Sequence, residues 1–131
     1  MQLLNFRIKN FRSINNSGDV EVSRLTALVG RNESGKSNLL LGLSTLNPPG
    51  GRQPLLPIKD FPRWRRLDEC TDDTEVVHTT WKLTDEESAE IGRTLRQTSK
   101  IETVTVSRRY QAPNVGWAST TSNGRNLTRR K

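Results

Sequence analysis

The sequence contains one complete glycine-rich pattern, G-x-x-x-x-G-K-[ST], at residues 30–37, where it reads Gly-Arg-Asn-Glu-Ser-Gly-Lys-Ser. This pattern is typical of a loop whose backbone amides surround phosphate groups. A strand-like apolar stretch, residues 25–29, precedes it, and a helix-like stretch, residues 38–43, follows it. Strand, glycine loop and helix in this order form the context in which such a loop binds a nucleotide. A glycine turn with a purely structural role is the alternative interpretation.

Each residue type in this loop suits one part of a nucleoside triphosphate. Gly30 and Gly35 let the backbone turn and approach a ligand closely. Lys36 supplies a positive charge for the β and γ phosphates, and the hydroxyl of Ser37 is the expected ligand of Mg²⁺. We therefore predict ATP and Mg²⁺ as ligands, held mainly by backbone amides and by the start of the following helix. The predicted nucleotide-binding residues of this stretch are Gly30, Arg31, Asn32, Glu33, Ser34, Gly35, Lys36, Ser37 and Asn38.

Length and composition limit how many catalytic motifs this sequence can contain. Its 131 residues fit one domain, whereas nucleotide hydrolases with a full set of catalytic motifs need more. A hydrophobic content of 31% and a mean hydropathy of −0.72 are low for a compact domain, and they predict surfaces that pack against other parts of a larger protein. We therefore expect a part of a larger protein. The sequence has no long apolar run and no signal-peptide pattern, and the single Cys70 favours a reduced thiol, so we expect a cytoplasmic location without membrane contact.

The positive charge of the chain lies in its first half. Residues 1–66 contain eleven Lys and Arg against four Asp and Glu, whereas residues 67–131 contain ten of each. A polyphosphate site accounts for part of this excess. Arg63, Arg65 and Arg66 surround Trp64 and are candidates for contact with a nucleic-acid backbone. A solvated loop is the alternative.

The chain divides into a loop-and-helix segment at residues 1–46, a Pro- and Gly-rich segment at 47–74, and a strand-helix-strand segment at 75–131. Alternation predicts strands at residues 3–11, 20–22, 76–83 and 101–110. We expect these four strands to form an antiparallel sheet, with the first two pairing with the last two. The helix from Lys36 to about residue 46 should cover it, through the leucines Leu39, Leu40, Leu43 and Leu46.

Two polar features of the second half have structural explanations. Thr84 followed three residues later by Glu87 is a capping box, so the acidic run at 85–87 predicts a helix start rather than a carboxylate site. Ile91 and Leu95 give this helix its apolar stripe. His78 is the only histidine, and because no nucleophile accompanies it we interpret it as a strand-surface residue.

Residues 4–14 and 25–40 together resemble the amino-terminal start of ABC-type ATPases of the RecF, SMC and OLD group, and most closely OLD-type ATP-dependent nucleases and related AAA-family ATPases. The resemblance is specific over residues 3–46. It implies an α/β (α+β) fold, a partial ABC-type head whose loop helix packs on an antiparallel β subdomain. In this group the arginine and serine of the N-F-R-S stretch lie near the nucleotide, which makes Arg12 and Ser13 candidate phosphate contacts. Completion of a strand is the alternative role for both.

The same resemblance implies work on DNA, in processing, repair or phage defence, and pairing of ATPase heads into a homodimer or larger assembly. Such ATPases hydrolyse ATP with a Walker B strand, a signature motif and a switch histidine, and OLD proteins add a Toprim nuclease domain. No segment of this sequence matches these parts. We therefore predict an amino-terminal lobe that binds ATP without useful turnover. A small complete kinase or GTPase and a regulatory module that binds nucleic acid are the alternatives.

Overall fold

A computed structural model describes residues 1–31, 35–51, 53–96 and 100–110 with their side chains, and residues 116–121 and 126–129 as backbone. Helices lie at α1 Lys36–Ser44, α2 Pro57–Asp60 and α3 Asp85–Leu95, and a 3-10 turn spans Leu67–Glu69. The strands are β1 Gln2–Phe11, β2 Ile14–Asn16, β3 Val20–Glu21, β4 Glu75–Lys82, β5 Ile101–Arg109, β6 Gly116–Thr121 and β7 Asn126–Arg129. The fold is thus mixed α/β, as predicted.

A single antiparallel sheet joins both ends of the described chain. Its strands follow the order β2-β1-β4-β5-β6-β7, and β3 also pairs with β1. The pairing of β1 with β4 runs from Gln2↔Lys82 to Ile8↔Val77, and β5 continues the sheet on the other side of β4. These two pairings confirm the expected antiparallel sheet between the first and last parts of the chain.

The predicted partner of residues 20–22 was wrong. Strand β3 pairs with β1, through Asn5↔Glu21 and Phe6↔Val20, and not with a strand of the second half. The chain turns back within a few residues of β1, so its nearest unpaired backbone is the edge of β1 that β4 leaves free. Strand β2 reaches the same edge after a tight turn at Arg12, where φ is 50°. Strand β2 was not predicted from the sequence.

The main core lies between β1, β4 and α1. Buried Phe6, Ile8, Val76 and Val77 form its centre, and further side chains from both halves of the chain, Tyr110 among them, complete it. Three of the four predicted leucines of the loop helix, Leu39, Leu43 and Leu46, pack against this cluster. The fourth, Leu40, is exposed. This prediction was wrong for Leu40, because only Leu39 and Leu43, four residues apart, lie on the helical face that meets the sheet. Leu46 reaches the core from the turn after the helix, which ends at Ser44.

Gly42 sets the distance between α1 and β1. A Cβ atom at this position would lie 2.9 Å from Cγ2 of Ile8, a side chain with no exposed surface. Real Cβ atoms do not approach this closely, so only glycine permits the observed packing. Close contact near the end of α1 therefore fixes its distance from the sheet.

Helix α3 covers a second, smaller core beneath the far end of β4 and β5. Leu83, Ile101 and Val104 are buried there, with the predicted stripe residues Ile91 and Leu95 against them. The capping box is confirmed at the start of the helix (Thr84 with Glu87). None of the helices in the described ranges combines the length and apolar character that crossing a membrane requires.

The stretch at residues 25–29 forms no strand, contrary to prediction. Leu25 is 89% exposed and Val29 is 93% exposed. A strand is stabilised by hydrogen bonds to a neighbouring strand, and none of the described strands lies beside this stretch. The chain therefore reaches the glycine loop through irregular backbone.

Candidate nucleotide site

A cleft of about 500 Å³ lies between the β1–β2 turn, the end of the irregular stretch and the first turn of α1. Hydroxyl and amide side chains of residues 13–17 form one part of its lining, here called the polar wall, and apolar side chains form another part. Together with the loop and helix start they comprise Ser13, Ile14, Asn15, Asn16, Ser17, Leu28, Val29, Gly30, Gly35, Lys36 and Leu39. Ser13, Gly30, Gly35 and Lys36 are predicted site residues, so the fold brings these four to one cavity.

The first turn of α1 is open toward this cleft. Gly35 is its N-cap residue, with φ 88° and ψ 6°, a left-handed conformation that favours glycine. Among the described residues no side chain caps the helix, and its first turn contains no acidic residue. An uncapped helix start presents backbone N–H groups and the positive end of the helix dipole. This end of α1 is therefore suited to an anion.

Lys36 lies across the loop. Its Nζ donates hydrogen bonds to the carbonyl oxygens of Gly30 and, at 2.9 Å, of Arg31. The ammonium group is thus held by backbone oxygens, in a position where phosphate oxygens can compete for it. The predicted residues Asn32, Glu33 and Ser34 lie outside the described residues.

Ser37 and Asn38 occupy different surroundings within the first turn. Ser37 is exposed, and its hydroxyl is accessible to a hydrated cation. The Nδ2 of Asn38 donates a hydrogen bond of 2.7 Å to Oγ of Ser13. A Cβ atom on Gly35 would lie 3.4 Å from the same Ser13 oxygen. The structure therefore brings Ser13 to the loop, and Asn38 fixes the β1–β2 turn against the helix.

Arg12 is directed away from the cleft lining and toward α2. Its Nε lies 3.7 Å from Oδ1 of Asp60, and its backbone N–H donates a 2.6 Å hydrogen bond to the Asp60 carbonyl. The guanidinium carbon also lies 5.3 Å from the centre of the Phe11 ring. In this arrangement Arg12 anchors the short helix to the end of β1, and its contact with phosphate stays a prediction.

Arg65 contacts a residue of the cleft, although the sequence made it a candidate for contact with a nucleic-acid backbone. Its Nη1 donates to Oδ1 of Asn10 at 2.5 Å and to Oδ1 of Asn15, a cleft residue, at 3.1 Å. Its Nε donates to Glu69, and this hydrogen bond lowers the pKa of the Glu69 carboxyl. The guanidinium also covers the Phe61 ring at 4.9 Å. Arg65 thus supports the polar wall, a role that its three-arginine sequence context did not indicate.

Mg²⁺ fits this site only together with phosphate oxygens and water. In the described part of the chain, no group of three or more His, Cys, Asp and Glu side chains could hold a metal. The sole histidine, His78, is partly exposed on β4, where its Nδ1 lies 3.5 Å from Glu75. Cys70 is half-buried, and burial raises the pKa of its thiol. The exposed hydroxyl of Ser37 is the one predicted metal ligand, which suits an ion that retains several waters.

Most of the chain matches the model of one known protein family. The family model described as AAA ATPase domain matches residues 1–107, which contain β1, the glycine loop, α1, β4 and α3. No curated protein and no solved structure gives a significant match.

Proposed function

The chain belongs to the AAA ATPase domain family, and we propose that it binds ATP with Mg²⁺ in the cleft at the start of α1. One observation supports this location above the others. The Nζ of Lys36 is held by the carbonyls of Gly30 and Arg31 beside a helix start that no described side chain caps. A cation and free amide dipoles at one place favour a polyphosphate.

The loop and the helix start would hold the phosphates, with Gly30, Gly35 and Arg31 contributing backbone. Lys36 would exchange its carbonyl contacts for β and γ phosphate oxygens. Ser37 would contribute one oxygen to Mg²⁺, which neutralises phosphate charge when bound. The Asn38 tie to Ser13 would keep the polar wall at a fixed distance from the loop.

We further propose that the chain is the amino-terminal lobe of an OLD-like ATPase that acts in DNA processing, repair or phage defence. The motif context of residues 3–46 supports this assignment. In such a head, DNA and a second ATPase head are the expected partners, and the remaining catalytic parts come from other sequence. The lobe alone then binds ATP without turning it over, because binding without selective stabilisation of the transition state does not lower the chemical barrier.

Thermal unfolding with and without ATP and Mg²⁺ tests the binding. A ligand at a hundred times its dissociation constant stabilises a protein by about 2.7 kcal/mol. We expect Lys36→Ala to lose most of this stabilisation, while Lys59→Ala, which removes an exposed lysine elsewhere, keeps it. An equal shift in the Lys36→Ala variant and the wild type would exclude the assigned site.

Phosphate release tests the second part of the proposal. The purified chain with ATP and Mg²⁺ should release phosphate no faster than Lys36→Ala does. Steady release that this substitution abolishes would refute the incomplete-lobe interpretation and favour a complete small enzyme.

A further inference from the structure

A group of large apolar side chains is exposed on the segment between α1 and β4. Ile58 is 82% exposed and Trp64 is 62% exposed, and Leu56 and Leu67 are also exposed. Monomeric proteins rarely leave several large apolar side chains uncovered at one place unless the place has a use. We call these four residues, together with the neighbouring cations Lys59 and Arg63, the Trp64 surface.

The backbone that carries the Trp64 surface is firmly held. Phe61 is buried and packs edge-to-face on Tyr110, with ring centres 5.9 Å apart. Asp60 is buried as well, and its Oδ2 accepts a 3.0 Å hydrogen bond from the backbone N–H of Leu56. Since buried anchors alternate with the exposed side chains, the exposure is a feature of a packed segment.

The charges on this surface are unbalanced. In the part of the chain that the structure describes, the side chains of Lys59 and Arg63 form no hydrogen bond or ion pair. By contrast, Arg66 pairs with Asp68 at 2.7 Å and Arg65 pairs with Glu69 at 2.8 Å. Two cations without a partner among the described residues therefore lie on the same segment as the exposed apolar side chains.

This combination of side chains distinguishes between classes of partner. Surfaces for nucleic acid are polar and strongly positive, and large aliphatic side chains contribute little to them. Protein interfaces instead concentrate their binding energy in Trp and Arg within an apolar centre. From the exposed apolar residues and the two unpaired cations, we propose that the Trp64 surface binds a protein segment whose apolar side chains are flanked by Asp or Glu.

The Trp64 surface is also connected to the candidate nucleotide cleft. Arg65, next to Trp64, donates to Asn15 on the polar wall. Asp60, next to Lys59, accepts a hydrogen bond from the backbone of Arg12 at the turn that carries Ser13. From these two contacts we infer that the two places are coupled, so that each ligand changes the affinity of the other. This second step rests on the proposed ATP site.

Selection of random peptides displayed on phage, with the full chain immobilised, tests the surface. Peptides that also bind the Arg63→Ser, Trp64→Ser double variant are removed by counter-selection. Both replaced side chains are exposed, so the variant should keep its unfolding temperature. We expect enriched peptides that combine Asp or Glu with Leu, Phe or Trp.

Fluorescence anisotropy with the enriched peptides then measures each contribution. Trp64→Ser and Arg63→Ser should each weaken binding at least tenfold, while Arg93→Ser, an exposed arginine on α3, should have no effect. Enrichment without acidic apolar sequences, or equal binding by the variants, would overturn the proposal. Binding of a single-stranded oligonucleotide that depends on Trp64, in place of peptides, would assign the surface to nucleic acid.

The same peptides test the connection to the cleft. ATP with Mg²⁺ should change peptide affinity several-fold in the wild type and leave it unchanged in Lys36→Ala. If ATP raises the unfolding temperature but peptide affinity stays constant, the connection is refuted and the surface stands. If ATP gives no thermal shift, the proposed nucleotide function fails independently of peptide binding.

Discussion

Helices α1 and α3 pack against the same sheet, but their first turns are closed in different ways. At α3, Thr84 accepts a hydrogen bond from the Glu87 amide, and Glu87 accepts one of 2.9 Å from the Thr84 amide. Acidic side chains fill the first turn, and the amino group of Met1 pairs with Glu87 at 2.9 Å. At α1, Gly35 provides no side chain and the first turn has no acidic residue.

The comparison shows what an open helix start provides. The free N–H groups and dipole of α3 are satisfied by its own sequence, which stabilises the helix and leaves nothing for a ligand. The same groups of α1 stay available to an anion from outside. A glycine at the N-cap lowers helix stability by only roughly a few tenths of a kcal/mol relative to a capping side chain, which packing along the rest of α1 can offset.

The largest expected effect tests that packing. Gly42→Val would place a branched side chain against Ile8, and overpacking of this kind costs about 2 kcal/mol of unfolding free energy. Leu40→Val, at an exposed position of the same helix, introduces the same residue and should cost far less. Urea unfolding measures both variants. Similar losses would show that contact with β1 does not hold α1.

Adding a charge to the open helix start should separate stability from binding. In Asn38→Asp, an acidic side chain in the first turn complements the helix dipole, so stability without ATP should not fall. The same charge repels phosphate, and we expect ATP affinity to fall about tenfold, or 1.4 kcal/mol, by calorimetry. Asn38→Ala removes the Ser13 tie without adding charge. Equal affinities of the two variants would exclude a role for charge here.

Removing the cap of α3 should give the opposite pattern. Thr84→Ala leaves the Glu87 amide without its acceptor, which costs about 1 kcal/mol of unfolding free energy. Thr84→Ser keeps the hydroxyl and should keep most of the stability. Neither change should alter ATP affinity, because α3 is remote in sequence and packing from the cleft. A loss of ATP binding in Thr84→Ala would contradict the separation of the two helix starts.

The smallest expected effect is a dependence on pH confined to α3. Hydrogen bonding from the Thr84 amide, reinforced by the Met1 amino group, lowers the pKa of Glu87. A carboxyl whose folded pKa is lowered stabilises the fold above its ordinary value of about 4.3 and loses this contribution as pH falls through the folded pKa. The difference in unfolding temperature between wild type and Glu87→Gln should therefore shrink from about pH 5 to about pH 3. A constant difference would show that the ionised carboxylate is not the stabilising form.

Elements with a local signal could be predicted from the sequence. Alternation located β1, β4 and β5, and the Thr84 and Glu87 pair located the start of α3. Residues 25–29 carry equally strong strand chemistry, yet strand formation there depends on a neighbour that local sequence cannot reveal. Membership in the AAA ATPase domain family supports ATP binding by this domain, whereas the phosphate-binding role of residues 30–37 and the OLD assignment stay predictions.

The surroundings of the cleft were harder to predict, because they join residues distant in sequence. The tie between Ser13 and Asn38 and the contact between Asn15 and Arg65 span long stretches of chain and leave no periodic pattern. The family resemblance indicated Ser13 but not the direction of Arg12, which depends on the buried Asp60 of a segment without a strong signal. Polar contacts of this kind are specified by the assembled fold.

The pairing of Gln2 with Lys82 also has a consequence for synthesis on the ribosome. Strands β4 to β7 follow one another along the chain and can pair as they emerge, but β1 waits for a partner that is translated much later. At about 5–20 residues per second, this interval lasts on the order of several seconds. Until β4 emerges, one edge of β1 has no partner strand, and Phe6 and Ile8 lack the side chains of β4 that complete their core. Both side chains are then open to chaperones and to nonspecific association.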